Sequence, residues 1–146
     1  MDTPALKIRR ARRRDFAAVQ RLLALGDLAL TDRRILRRFR HIVADLGGDL
    51  YVAEAAGNVV GVIHATYVRQ LGGAQRARIE ELAVEPDHRS TGVDLLLLDF
   101  IVARARRRDC STLSCVPVTE DGRSAAEAAG LCPQETEYRR PLAGEA

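Results

Sequence analysis

Ile79-Glu80-Glu81-Leu82-Ala83-Val84-Glu85-Pro86-Asp87-His88-Arg89-Ser90-Thr91-Gly92-Val93-Asp94 holds a strand end, a break and a helix start in one short span. The stretch from Arg76 to Val84 reads as a long strand, and Pro86 stops it, because proline has no N–H to give a central ladder. Pro86 and the residues after it read as a loop. From Thr91 to Arg108 apolar residues return at helical spacing, with Val93, Leu96, Leu97, Phe100, Ile101 and Ala105 on the inward face. A strand that leads through a tight loop into a helix suits a pyrophosphate. The first N–H groups of a helix have no intrahelical partner and point out along the positive end of its dipole. Gly92 lets a backbone approach closely, and Arg89 adds a fixed positive charge.

Upstream, Leu6 to Arg10 alternates as a short strand, and Phe16, Val19, Leu22 and Leu23 then recur at helical spacing. Thr31-Asp32 is a candidate N-cap for a second helix. In that helix Ile35, Leu36, Phe39, Ile42 and Val43 form one apolar stripe, and Arg33, Arg34, Arg37, Arg38 and Arg40 form the opposite face. Gly47-Gly48 ends it. Asp49 to Ala55 and Val59 to Val68 are β-rich runs joined by Ala56-Gly57-Asn58, which predicts an antiparallel hairpin. A flexible Leu71-Gly72-Gly73-Ala74 loop follows. Downstream of the long helix, Ser111 to Val118 suits a buried strand, Ser124 to Ala129 a short helix stopped by Gly130, and Glu135 to Pro141 a closing edge strand. The expected fold is α/β (α+β): one domain over residues 1–146, with a mixed, mainly antiparallel sheet flanked by helices.

Composition narrows the function. The chain has 146 residues, 47% of them hydrophobic, enough for one core and too short for two ordinary domains. Apolar runs such as Leu95 to Leu98 are cut by Asp94 and Asp99, far short of the roughly 20 residues a membrane span needs. The start Met1-Asp2-Thr3-Pro4 lacks the apolar core of a secretory leader, so cytoplasmic residence is expected. Cys110, Cys115 and Cys132 form no C-x-x-C pair and lie in or beside a predicted core strand, which makes them small buried residues rather than metal ligands or disulfide partners. The net charge of +3 conceals a chain with one lysine, Lys7, and arginine runs at Arg12 to Arg14, Arg33 to Arg40 and Arg106 to Arg108. No aromatics are interleaved with the arginines, which argues against a nucleic-acid binder that works by base stacking.

The motif Arg89-Ser90-Thr91-Gly92-Val93-Asp94, the preceding Leu82-Ala83-Val84 followed by Glu85-Pro86, and the order of elements over nearly the whole chain resemble the GNAT superfamily of acyl-CoA-dependent N-acetyltransferases. The resemblance implies acetyl-CoA as co-substrate. Its pyrophosphate would lie on Arg89, Ser90, Thr91, Gly92, Val93 and Asp94, and its pantetheine arm would pair with the backbone of Leu82, Ala83 and Val84 where two parallel strands splay. It also implies a primary amine of a small molecule or peptide as acceptor, and family precedent implies a homodimer. The basic second helix favours acidic or peptide acceptors over polyamines.

Two positions depart from the family pattern. Asp94 stands where the family has Gly or Ala, and a carboxylate beside a diphosphate would cost on the order of 1–4 kcal/mol, depending on the effective dielectric; the alternative is that it favours the helix dipole and turns to water. Ala126 stands where the family often has a proton-donating tyrosine. For amine acetylation a base must take a proton from the ammonium and an acid must protonate the thiolate. Glu80 and Glu81 are the candidate bases, with Glu80 preferred because it matches an acidic position some members of the family use. Neighbours on a strand face opposite ways, so only one looks into the cleft unless a bulge near Leu82 changes the phase. The candidates for the acid are Tyr138, Tyr67, Tyr51 or a water. His64 is either a packed strand histidine or a cleft residue, and His88 adjoins the pyrophosphate loop. The departures at Asp94 and Ala126 also motivate a second reading, a GNAT-like binding or regulatory module that has lost catalysis.

Overall fold

The computed structural model describes residues 5–25, 33–89, 91–116, 120–134, 140 and 142. Its sheet has the strand order β1 (Leu6–Arg10), β2 (Asp49–Ala55), β3 (Asn58–Gln70), β4 (Gly73–Val84) and β5 (Cys110–Cys115). The first four are antiparallel neighbours, and β5 lies parallel to β4. The helices are α1 (Phe16–Ala24), α2 (Ile35–Ala44), the single turn α3 (Pro86–Arg89), α4 (Val93–Arg107) and α5 (Glu120–Ala128). No helix among the described residues is long and apolar enough to cross a membrane.

The period-2 alternation of the strands separates two cores. On one face Ala53, Ile63, Ala65 and Ile79 pack against Val93, Leu97, Leu98 and Ile101 of α4 and Ala125 of α5. On the other, Leu50, Val52 and Val62 pack against Val19 and Leu22 of α1 and Phe39 of α2. Burying a side chain such as Leu97 or Leu22 contributes roughly 1.5–3 kcal/mol each, so the two faces together hold the helices on the sheet. Arg9 of β1 donates to Glu54 of β2 at 2.7 Å and to Asp15 at 2.8 and 2.9 Å, and Asp15 also accepts the Arg12 N–H at 2.7 Å. That knot fixes the turn by which β1 enters α1.

Several boundaries differ from the sequence reading. Ladder pairing between Gln70 and Gly73 carries β4 back to Gly73, so the connection is only Leu71-Gly72, and β3 likewise runs on to Gln70. In the β2–β3 hairpin Asn58 joins the strand, leaving Ala56 (φ 51°) and Gly57 (φ 81°) as a two-residue turn with both positions left-handed. Pro86 opens a helical turn rather than a loop, as proline's fixed φ allows at a first helical position. Leu98 replaces Leu96 on the buried face of α4; Leu96 is exposed. β5 pairs with β4 alone among the described residues and has only exposed and half-buried positions, so it is not the buried strand expected. The cysteines follow: Cys110 and Cys115 are half-buried and Cys132 is exposed, all three as free thiols. The Thr31-Asp32 cap and the strand expected from Glu135 to Pro141 fall on or across residues outside the described set.

Candidate active site

A bulge in β4 decides which way its carboxylates point. His64 of β3 opposes Glu81 and Ala65 opposes Ile79, so Glu80 is an extra residue without a partner in register. The side-chain phase shifts across it. Ile79 and Leu82, three residues apart, both pack in the α4 core, whereas Ala83 packs in the α1 and α2 core. Glu80 and Glu81 are therefore both left on the α1 and α2 face, where the sequence reading placed one unless a bulge intervened. Thr66 Oγ1 donates to Glu80 Oε1 at 2.8 Å, and Arg78 Nε lies 3.5 Å from the same oxygen. His64 Nδ1 lies 2.6 Å from Glu81 Oε2. A carboxylate can only accept, so Nδ1 is the donor in this pair and Nε2 is left outside it. His64 is 8% exposed, yet it is a polar residue of the carboxylate face rather than a core filler.

Beyond this cluster the edge of β4 opens. Pairing with β5 begins at Gln75 opposite Cys110 and ends at Ile79 opposite Cys115. From Glu80 to Val84 no strand pairs with the outer edge of β4 among the described residues. Leu82, Ala83 and Val84 thus offer backbone to a ligand lying between the two parallel strands, at the place the resemblance assigns to a pantetheine arm. The burial of Cys115, at the end of β5, pushes its thiol above the usual cysteine range.

The edge leads into the start of α4. Gly61, opposite Val84 in the ladder, explains how close α4 comes: a Cβ there would lie 3.0 Å from Leu97 Cδ1 and 3.3 Å from Val93 Cγ1. Gly92 caps the helix in the left-handed region, at φ 78° and ψ 22°, a conformation other residues rarely adopt. Val93 and Asp94 follow with N–H groups that precede any intrahelical acceptor. Thr91, an exposed residue, donates from Oγ1 to the His88 carbonyl at 2.7 Å, and Arg89 Nε donates to the Val84 carbonyl at 3.2 Å. Arg89 thereby ties the turn to the strand end. Ser90 lies outside the described residues. Asp94 Oδ1 accepts the N–H of Leu95 at 2.8 Å. The carboxylate consequently occupies a first-turn donor that a phosphate would use, and lies against the helix end rather than turning wholly to water.

The acid candidates fare differently. Ala126 is buried in α5 beside Ala125 and has no proton to give. Tyr67 and Tyr51 lie on the opposite face of the sheet. Tyr67 Oη donates to Asp49 at 2.5 Å, and burial together with that bond pushes its hydroxyl well above the usual tyrosine range. The Tyr51 ring packs tilted against Phe100, centroids 4.6 Å apart, and lies under the guanidinium groups of Arg10 and Arg104. Neither faces the carboxylates. Tyr138 lies outside the described residues. The sequence reading missed what holds these tyrosines: Asp49, fully buried, accepts from Arg104 at 2.8 and 3.1 Å and from Arg108 at 3.1 Å, with Arg10 at 3.4 Å. Burial pushes the Asp49 carboxyl up, but the bonds from Arg104 and Tyr67 and the charges of Arg104 and Arg108 outweigh it and hold it below the usual carboxylate range.

The family description "Acetyltransferase (GNAT) family" matches residues 14–129. No curated protein matches the chain. Among solved structures, a ribosomal-protein-alanine N-acetyltransferase from Brucella melitensis biovar Abortus 2308 is 25% identical with a TM-score of 0.76, covering 95% of this chain and 100% of that one. A transcriptional regulator from Bacillus halodurans C-125 is 22% identical with a TM-score of 0.80, covering 94% of this chain and 100% of that one. A glucosamine-6-phosphate N-acetyltransferase from Arabidopsis thaliana is 16% identical with a TM-score of 0.76, covering 95% and 99%. The last two identities are low enough that those likenesses speak to the fold alone.

Proposed function

Since the chain belongs to the GNAT acetyltransferase family, we propose that it transfers an acetyl group from acetyl-CoA to a primary amine of a small molecule or peptide. The observation that carries this reading is the bulge at Glu80, which sets two carboxylates beside a strand edge that is open from Glu80 to Val84 and runs into the N-terminus of α4. Acetyl-CoA supplies an acetyl group activated as a thioester. The backbone of Leu82, Ala83 and Val84 holds its arm, and the first turn of α4 with Arg89, Ser90, Thr91, Gly92 and Val93 holds its diphosphate. Glu80 takes the proton from the incoming ammonium, directly or through water, and Arg78 and Thr66 keep its carboxylate in place. Glu81 orients His64. The departing thiolate takes its proton from Tyr138 or from water.

A second reading is favoured by the Asp94 to Leu95 bond and by buried Ala126: a GNAT-fold binding module without turnover. The two are separated by following release of the CoA thiol from acetyl-CoA across a panel of amines. Turnover in the wild type that falls in Glu80→Gln, with acetyl-CoA affinity unchanged, supports the enzyme. Unchanged turnover in Glu80→Gln removes Glu80 from the role of base, and acetyl-CoA binding with no turnover on any amine favours the module.

A further inference from the structure

Several arginines of this chain are matched to carboxylates: Arg9 to Asp15 and Glu54, Arg21 of α1 to Glu85, and Arg10, Arg104 and Arg108 to Asp49. A second group lines a groove of about 710 Å³ between α2 and the turn before α1, with Arg13 on one wall and Arg33, Arg37 and Arg40 on the other. Among the described residues, the side chains of these four make no hydrogen bond or ion pair. The one acidic residue in the groove, Asp45, has its Oδ1 taken by the Gly47 N–H at 2.8 Å. Holding four guanidinium groups around one concavity costs mutual repulsion, and an anionic occupant would relieve it.

We propose that this groove docks an acidic segment of a protein partner. Arg37 and Arg40 lie about one turn apart on α2, and Arg33 sits in the turn that leads into it. Same-side side chains of an extended peptide repeat every ~6.6 Å, a spacing that long arginine side chains along this wall can match, so alternate carboxylates meet successive guanidiniums. Arg13 faces them from the other wall, where a bidentate pair is available to a further carboxylate. Leu36 in the lining offers an apolar contact to an aliphatic residue between the acids. A nucleic acid fits less well, because no Phe, Tyr or Trp lines the groove and His41 is the one ring in its lining that could stack a base.

The test is fluorescence anisotropy of a labelled peptide of repeated Glu-Ala-Glu-Leu with the full chain. It reads binding alone and is independent of acetyl transfer. Saturable binding that weakens with salt is expected, and Arg33→Glu with Arg37→Glu should lower affinity by at least about tenfold. The neutral pair Arg37→Gln with Arg40→Gln should give a smaller loss. The pair Arg106→Glu with Arg107→Glu, at exposed positions of α4, makes the same change in net charge and should leave affinity near the wild-type value. The proposal is overturned if the peptide shows no saturable binding, if the α4 pair loses as much as the groove pair, or if a single-stranded oligonucleotide of equal charge binds the groove more tightly than the peptide.

Discussion

The two faces of the sheet each carry a polar cluster, built to opposite ends. On the α4 face, Asp49 is wholly enclosed and its oxygens take bonds from Arg104, Arg108 and Tyr67, with Arg10 close by. On the α1 and α2 face, Glu81 takes one bond from His64 and Glu80 one from Thr66, and the side chains of Glu80 and Glu81 remain about one-third exposed. A carboxylate saturated with donors and shut from water is committed to holding the fold. One with a spare oxygen, an exposed flank and a bulge that aims it is available to a substrate. Burial and saturation, more than charge, therefore separate the structural cluster from the candidate catalytic one.

Mutation should separate them in the same way. Asp49→Ala should lower unfolding stability the most, by about 3 kcal/mol, the low end for a broken buried pair because its arginines reach solvent. Denaturant melts measure it, and turnover per folded molecule should change little. The pH dependence follows. A carboxyl held below its unfolded value contributes stability that is present above the unfolded value, about 3.9, and is lost as pH falls through the folded one. Acid melts of the wild type should show that loss, and Asp49→Asn should flatten it. Glu80→Gln should do the reverse: turnover down by about 100-fold, a typical value for removing a general base, with the melting curve nearly unmoved. A larger drop in Glu81→Gln than in Glu80→Gln would transfer the role of base to the Glu81 and His64 pair. Asp94→Gly should tighten acetyl-CoA binding by about 1–2 kcal/mol, roughly tenfold, by removing a like charge and freeing the Leu95 N–H. The smallest effect is expected at Tyr67→Phe, about 1 kcal/mol of stability for one lost hydrogen bond, with no change in turnover. A large loss of turnover there would blur the distinction between the faces.

Local pattern carried much of this in the sequence. Period-2 and helical spacing placed every strand and nearly every helix of the described residues. Pro86 marked the end of β4, whereas Gly92, read in the sequence for the close approach it allows, proves also to be the left-handed cap that starts α4 at Val93 rather than Thr91. The direction of Glu80 and Glu81 was legible only as a condition, since a bulge is a mismatch between two strands and neither strand encodes it alone. The Asp49 cluster was invisible for a related reason: its bonds join residues 55 and 59 positions apart. One signal was available. Arg104 and Arg108 are spaced i, i+4 on α4 beside inward-facing Ile101 and Ala105, where a solvated arginine is out of place. Tyr67 and Tyr51 then read as acid candidates because strand tyrosines look alike until a buried carboxylate claims one of them. Cys110 and Cys115 looked buried because the run from Ser111 to Val118 suits a core strand, whereas exposure is set by the place of β5 in the sheet.

The most direct test is isothermal titration of acetyl-CoA into the wild-type chain and into Asp94→Gly. Single-site binding by the wild type, tightened in the variant, is the result expected of an open β4 edge that receives the pantetheine arm and a helix end partly occupied by its own aspartate. Absence of binding in both proteins would contradict the assignment of that edge and helix end to acetyl-CoA, and with it the acetyltransferase reading.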